Sequence, residues 1–453
     1  MRKVILPLLY LIMALPLSAA SDDSLDTGAD EIPARVYFKG GKLHFASKND
    51  KFKLWLDNRI FVDAAVYSPY TDIDNLDSKA NKDLETDDGE FRFDNGVSIR
   101  HARLGIKATL FEKWFAEFDL DFAYNEVEIK DMYLGYQFNP NWSVKVGHFK
   151  EPMSMERLTS SKYLTQLERP MPVEAFAAGR RLGAAFTGWG NHWWVSAGVF
   201  GRQVDIIQKE KNRGNDGLGF TGRVACSPIT GENLTLHLGA YGTWRKPDMT
   251  GTKDRTVEFR TFPESRVDRR RFIRTEIKNV KDYSTVGFEI GARYDKALLY
   301  GEYLFTTLRR YKYEKSERIN LKNATFNGWY VTGSYMILGN QRKYASDDAE
   351  FGPMDVRRKG GNLEVSARVS TINLNDFHDP SEAILGGKGY NYTAALNWYP
   401  VRNIMIGFNY TYVNNDKYAD DKGHITSSKQ PLSKVCPKGV DFGIYQMRFM
   451  VSF

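Results

Sequence analysis

VDFGIYQMRFMVSF, residues 440–453, ends the chain on an aromatic carboxyl terminus. Counting back by twos gives Phe453, Val451, Phe449, Met447, Tyr445 and Gly443, an apolar row. Ser452, Arg448 and Gln446 fall between them, with the less polar Met450 and Ile444. A period of two makes this a strand with one face in an oily medium and one that tolerates charge. A terminal strand ending on Phe suits an outer-membrane β-barrel of a Gram-negative bacterium. The alternative is an edge strand of a soluble sandwich, and the remainder of the sequence separates the two.

At the other end, Arg2 and Lys3 precede an apolar run, 4–17, and the small residues Ser18, Ala19 and Ala20 precede acidic Asp22 and Asp23. This pattern predicts a secretory signal peptide over 1–20, an N-terminal periplasmic segment over 21–50 and a barrel domain over 51–453. The apolar run is short for a retained helical span of about 20 residues, and no Cys follows the small residues as a lipoprotein requires. No later stretch approaches 18 uninterrupted apolar residues, which excludes helical spans. A mean hydropathy of −0.47 is compatible with a transmembrane barrel, because only one face of each strand meets lipid. Aromatic residues make up 14% of the chain, with 25 Tyr and 28 Phe, enough to supply girdles at both bilayer interfaces.

Two cysteines, Cys226 and Cys436, provide neither a disulfide framework nor a cysteine metal site, and the strand map places them far apart. The formal charge of +7 falls by two, to +5, when Arg2 and Lys3 leave with the signal peptide. That excess is too weak to imply nucleic acid as a partner.

From Lys53 onward, alternating segments of about ten residues recur between turn signals. The expected strands are 53–66, 96–110, 114–124, 127–138, 142–150, 182–189, 192–201, 218–227 and 233–244 in the first half. The second half gives 285–295, 298–313, 325–338, 361–374, 389–399, 403–415 and 439–453. The reading is an all-β chain: a sixteen-stranded antiparallel transmembrane β-barrel, wide enough for an aqueous channel, with both termini periplasmic. Connections alternate between tight turns (111–113, 139–141, 190–191, 295–297, 399–402) and long polar loops (67–95, 151–181, 202–217, 245–284, 375–388, 416–438). Short periplasmic turns and long outer loops are the expected asymmetry. The long connection 339–360 falls on the turn side and carries Arg342, Lys343, Arg357, Arg358 and Lys359, so it is expected to fold into or against the periplasmic mouth.

Positive charge concentrates in two loops. The segment 151–181 carries Arg157, Lys162, Arg169, Arg180 and Arg181 with hydroxyls Thr159, Ser160 and Ser161 between them. Cations beside hydroxyl donors suit an anion, whose lone pairs both can serve. The alternative is a solvated loop whose charges pair with Glu151, Glu156, Glu168 and Glu174. The segment 245–284 holds twelve Lys or Arg against seven acids and includes Arg266, Arg269, Arg270, Arg271 and Arg274. Such a ladder can pass anions between weak sites without trapping them. In strand two, Ala102, Leu104, Ile106 and Ala108 make the lipid face, so His101, Arg103 and Lys107 point inward. Arg100 falls out of phase, to be turned inward by a bulge or left at the rim. Lys145 in strand five and Arg448 in strand sixteen are also expected in the lumen.

With these residues in view, the chain resembles the phosphate-selective porin O and P family over roughly 41–453. The resemblance rests on IRHARLGIKATLFEKWFAEFDLDFA (99–123), DMYLGYQF, VGHFKEPMSMERLTSSKYLTQLERP, AFAAGRRLGAAF (175–186), LYGEY (299–303), FNGWYV (326–331) and LNWYP (396–400). It implies a homotrimer in outer-membrane lipid, each barrel with its own pore, and a central anion site. By motif position, Ser160 and Ser161 donate to a phosphate-like anion and Arg157 and Arg169 flank it. Lys162 lies in the same constriction, and Arg100 and Arg103 contribute from strand two. The segment 245–284 looks like the family's basic ladder, and 339–360 like its inward-folded periplasmic segment. Two positions depart from the pattern. Arg100-His101 stands where paired arginines are usual, and Arg157 stands where phosphate-selective members carry Lys. His is at most a conditional cation, while Arg retains bidentate oxyanion contact.

The expected function is therefore passive diffusion of small anions, with a non-selective porin and a structural or adhesive barrel as alternatives. The seven histidines are scattered. No HExxH, nucleophile–base or metal-ligand spacing appears, so no cofactor, metal or catalytic residue is expected.

Overall fold

The computed structural model describes residues 34–69, 93–204, 217–247, 255–352, 354–379, 382–419, 424–426 and 439–453. The leader 1–20 lies outside the described residues, as does Cys436, while Cys226 is exposed on strand eight.

Sixteen antiparallel strands form a closed barrel. Strand one comes in two pieces, Phe52–Leu56 and Arg59–Pro69, and strands two to five are Gly96–Leu110, Trp114–Asp121, Glu128–Asn139 and Trp142–Lys150. Strands six to nine are Arg180–Trp189, Trp193–Phe200, Gly219–Thr230 and Leu234–Arg245. Strands ten to twelve are Val280–Tyr294, Ala297–Glu314 and Glu317–Leu338. The last four are Asn362–Asp376, Ala383–Val401, Ile404–Asn415 and Phe442–Ser452. Strand sixteen pairs with Arg59–Pro69, Arg448 opposite Asp63, which closes the sheet and leaves no edge in hydrocarbon.

The terminal strand behaves as its period predicts. Tyr445, Met447 and Phe449 are exposed on the lipid face, whereas Gln446 and Arg448 are each 2% exposed and face inward. Its pairing with strand one begins only at Arg59, not at Lys53. At Asp57 and Asn58 strand one changes partner: Asn58 and Phe453 exchange backbone hydrogen bonds, at 2.7 and 3.2 Å. Below that point Lys53–Trp55 pairs instead with His44–Ala46 of an N-terminal hairpin, Ala34–Lys39 and Lys42–Ser47. Gly40 and Gly41 make its two-residue turn at φ 62° and 78°, the conformation such turns need.

Strands twelve and fourteen begin earlier than the alternation indicates, at Glu317 and Ala383. The extra residues of strand twelve are mostly exposed on both faces. There no face is apolar, so pairing continues without a period-two signal, whereas at the start of strand fourteen the adjacent Ile384 and Leu385 are both buried, which hides the alternation.

The barrel interior is filled by its own connections. The third outer loop crosses the lumen with two helical turns, Met155–Leu158 and Met171–Phe176, and the fifth contributes a hairpin, Val257–Thr261 with Ile273–Ile277. Met171, Val173 and Phe176 of the third loop and Phe259, Ile273 and Ile277 of the fifth form one apolar cluster with Leu304, Leu308, Phe326, Tyr330, Phe442 and Ile444 of the wall. Ile444 thus sits on the lumen side because an apolar core lies inside the barrel there. The connection 339–360 also folds inward, as a short hairpin pairing Tyr344 with Phe351 and Ala345 with Glu350. Phe351 joins the apolar cluster. Gly291 leaves room for it, since a Cβ at that position would lie 2.6 Å from the ring.

Candidate functional site

The third loop is held to the wall by buried polar bonds. The Ser154 hydroxyl donates to Glu302 at 3.0 Å, and the Met155 and Glu156 amides donate to Glu289 and Glu302 at 2.9 Å each. These are otherwise unsatisfied donors at the start of a helical turn. On the far side the Gln166 amide donates to Ser366 at 3.0 Å, and Asn397 donates to the Thr165 carbonyl at 2.8 Å.

Arg157 and Arg169 clamp the loop reciprocally. Arg157, in the first helical turn, donates to the carbonyls of Val173, Glu174 and Ala177 at the end of the second, at 2.7 to 3.2 Å. Arg169, just before the second turn, donates to the Glu156 and Thr159 carbonyls at the end of the first, at 2.9 and 2.6 Å. Helix C-termini present unpaired carbonyls and partial negative charge, which cations satisfy. Burial, reinforced by Arg157, holds Arg169 down at about 9.

Between the clamped turns, Ser160 and Ser161 both accept from Arg59 Nη1, at 3.3 Å each. Each hydroxyl keeps its own proton to donate. Arg59 is 6% exposed, and its Nε has no hydrogen-bond partner among the described residues. Lys162 meets Asp57 at 2.5 Å, and the same carboxylate serves Lys42 at 3.0 Å, Lys107 at 3.5 Å and Arg59 at 3.8 Å. Burial and the neighbouring Arg59 outweigh Asp57 and bring Lys162 down to about 7. Four cations around one carboxylate leave this corner of the lumen positive.

Strand two contains the bulge. Pairing with strand one passes from Phe61–His101 to Val62–Ile99, skipping Arg100. The extra residue turns both Arg100 and His101 inward, at 8% and 4% exposure. Arg100 forms a bidentate pair with Glu168, at 2.5 and 3.0 Å, and Arg448 reaches Glu168 at 2.8 Å and Asp63 at 2.6 and 2.7 Å. Burial pushes Glu168 up, but Arg100 and Arg448 outweigh it and hold the carboxyl well below its usual range. His101 Nε2 faces Arg100 and Arg103 at 3.3 and 3.5 Å, while Nδ1 faces Asp121 at 2.7 Å. Arginine cannot accept, so Nε2 accepts, Nδ1 carries the proton and His101 is neutral. Arg103 bonds Asp121 at 2.9 Å and Asp119 at 3.4 Å.

The five ladder residues divide. Arg266 pairs with Glu174 at 2.5 Å, Arg270 with Asp268 at 2.6 Å and Arg274 with Glu258 at 2.6 Å. Arg269 lies over Tyr124 at 4.6 Å and Arg271 over Phe262 at 4.0 Å. Burial, then Arg260 and Arg266, keep Arg271 at about 10. A cation over a ring keeps its attraction for an anion.

Glu117, Asp119 and Asp131 bring carboxylate oxygens within 4.8 Å of one another. Each meets a cation, Lys107 at 3.1 Å, Arg103 at 3.4 Å and Arg180 at 2.5 Å respectively, which makes them counter-charges of the basic wall.

Arg59, Asp57 and Lys42 were not legible as site residues. The one signal was Asp57-Asn58-Arg59, three successive polar residues that break the alternation of strand one.

A closed sixteen-stranded barrel, apolar outside and crossed by inward-folded loops, defines an outer-membrane porin, a channel class. The chain belongs to the phosphate-selective porin O and P family, whose model matches residues 75–450. It is 23% identical over 445 residues to Porin O of Pseudomonas aeruginosa, covering 91% of this chain and 94% of that protein. It is 26% identical over 323 residues to an uncharacterized protein of Caulobacter vibrioides, covering 70% of this chain but only 62% of that relative, less than two thirds of its length. Among solved structures, the outer membrane channel DcaP of Acinetobacter baumannii matches at TM-score 0.51 and 13% identity, over 90% of this chain and 99% of that one. That likeness concerns the fold.

Proposed function

We propose that this porin gives passive diffusion to small anions, phosphate-like oxyanions among them, as a homotrimer in outer-membrane lipid. The observation that carries this reading is Arg59. Its buried Nε has no acceptor among the described residues, while Nη1 holds two serine hydroxyls whose protons remain available. An oxyanion at that point accepts from Arg59, Ser160 and Ser161 and lies beside Lys162. In this reading Arg157 and Arg169 shape the site by folding the loop, and Arg100 and Arg103 supply field through partly neutralised pairs. Arg269 and Arg271 feed anions from the outer side, while Arg266, Arg270 and Arg274 hold the fifth loop.

A non-selective pore is the second reading, favoured by Glu168, Glu174 and Asp121, which neutralise the arginines they meet. Planar-bilayer reversal potentials in a chloride gradient decide between them. Anion preference, with phosphate blocking chloride current, is the expected result. Equal permeability of both ions overturns it. Replacing Arg59 by Ala weakens both the preference and the block.

A further inference from the structure

Strand eleven continues past the apolar face of the barrel. Its outward residues include Leu299, Tyr303 and Phe305, all exposed. The same two-residue period then places Thr307, Arg309, Tyr311 and Tyr313 outward. Between them Leu308 and Arg310 are buried, so the alternation holds. The register shifts at this level fall on its neighbours: strand ten carries an extra residue at Lys281, and strand twelve one between Leu321 and Ala324.

Three arginines meet on this outward face. Arg309 makes a bidentate pair with Asp282, at 2.6 and 2.8 Å, yet its side chain stays 53% exposed. Arg255 of the fifth loop lies over the Tyr311 ring at 4.2 Å, and Arg318 of strand twelve lies over the same ring at 4.3 Å. Arg255 is fixed there by the Tyr311 carbonyl at 3.3 Å and Asn279 at 3.4 Å. Neither Arg255 nor Arg318 has a carboxylate at ion-pair distance among the described residues, and the neighbouring Glu314 pairs with Lys312 at 2.6 Å. A ring holds a cation without neutralising it. Two guanidiniums on one ring repel each other, and an anion shared between them relieves that repulsion. Exposed Tyr313, opposite Arg318 and 5.6 Å from Tyr311, extends the ledge.

We propose that Arg255, Arg309 and Arg318, grouped around Tyr311, hold the phosphate of an anionic lipid headgroup, that of the phosphorylated glycolipid of the outer leaflet. Guanidinium forks suit phosphate oxygens. The place of the ledge selects a lipid over a soluble anion. It continues the row of Tyr303 and Phe305 that faces the acyl chains, whereas the inward Arg310 pairs with Glu382. Headgroup phosphates lie just beyond the acyl layer, where aromatic side chains give way to cations. The inference is independent of the anion-pore reading, since none of the three arginines belongs to that site.

The experiment titrates purified lipopolysaccharide onto the delipidated full-length protein in detergent and measures retained glycolipid by native mass spectrometry. Arg255→Gln with Arg318→Gln is expected to weaken binding roughly tenfold or more, as is enzymatic removal of the lipid phosphates. Heat-resistant migration of the barrel checks that the variant folds. Arg318→Gln alone, at an exposed position, is expected to give a smaller loss. Equal binding by wild type and both variants, or of intact and dephosphorylated glycolipid, overturns the inference. Displacement of the glycolipid by inorganic phosphate assigns the ledge to a soluble anion, and loss of the oligomer in the lipid-free double variant assigns it to a second copy. Either result also overturns the inference.

Discussion

The two sides of the lumen are built in different proportions of apolar and charged side chains. Along strands ten to twelve, the wall meets the folded-in loops through Leu304, Leu308, Phe326 and Tyr330, packed on Phe176, Phe259 and Ile277. Along strands one to five, the wall presents Arg59, Arg103, Lys107 and Lys145 against Asp57, Asp119, Asp121 and Asp131. The side along strands ten to twelve anchors the loops through that apolar packing and through the buried Glu289 and Glu302, which accept from Ser154, Met155 and Glu156. The charged side keeps ionised groups on the lumen wall, and the difference shows how one barrel narrows its lumen while part of that wall stays polar.

Substitutions on the two sides should have separable consequences. The largest effect is expected from Phe326→Ala. This side chain is fully buried, and its ring lies 5.8 Å from that of Phe259. Such a truncation costs about 3–5 kcal/mol in a packed core. Proteolysis within the fifth loop should accelerate and conductance should rise, while the permeability ratio stays near wild type. A changed ratio with an intact loop breaks the division of labour.

Arg157→Ala comes next. It takes the Arg157 donors from the carbonyls of Glu174 and Ala177, at about 1–3 kcal/mol for each one left buried and unpaired, while Val173 keeps the Ala177 amide at 3.2 Å. Noisy, enlarged single-channel currents are expected. Arg157→Lys keeps the charge but cannot span three carbonyls, so it should restore the currents only in part. Complete restoration would identify Arg157 as an anion ligand rather than a clamp.

Arg59→Ala is expected to act on selectivity with little change in conductance noise. A charge-assisted hydrogen bond contributes about 1.5–3 kcal/mol, so the half-blocking phosphate concentration should rise roughly tenfold or more. An unchanged block removes Arg59 from the anion path.

The smallest effect concerns pH. Lys162 titrates at about 7, and Glu350, pushed up by burial and by Asp348, at about 8. Between pH 6 and 9 the first loses a positive charge and the second gains a negative one. Both changes act in the same direction, so chloride preference should fall as pH rises. Lys162→Met and Glu350→Gln should each flatten part of that curve. A profile identical to wild type in both variants excludes these two groups.

The candidate site was legible in residue types but not in roles. Ser160 and Ser161 meet Arg59 of strand one, and Lys162 meets Asp57 beside it. Arg157 and Arg169 looked equivalent to them in sequence. Only the folded loop shows their donors committed to carbonyls of each other's helical turn, a contact 10 to 20 residues away that no local spacing encodes. Arg100 was ambiguous for a related reason, since a bulge shifts the phase of every side chain beyond it and is invisible to a strict period of two.

By itself the sequence determined the strand count, the lipid face of strands two, five and sixteen and the polarity of the connections. Those properties follow from the two-residue period and from the cost of leaving backbone groups unpaired in hydrocarbon. The tertiary structure alone decided which cations stay available. That choice depends on where the third loop, the fifth-loop hairpin and the periplasmic hairpin come to rest, and on which carboxylates and carbonyls they bring within about 3 Å of each guanidinium.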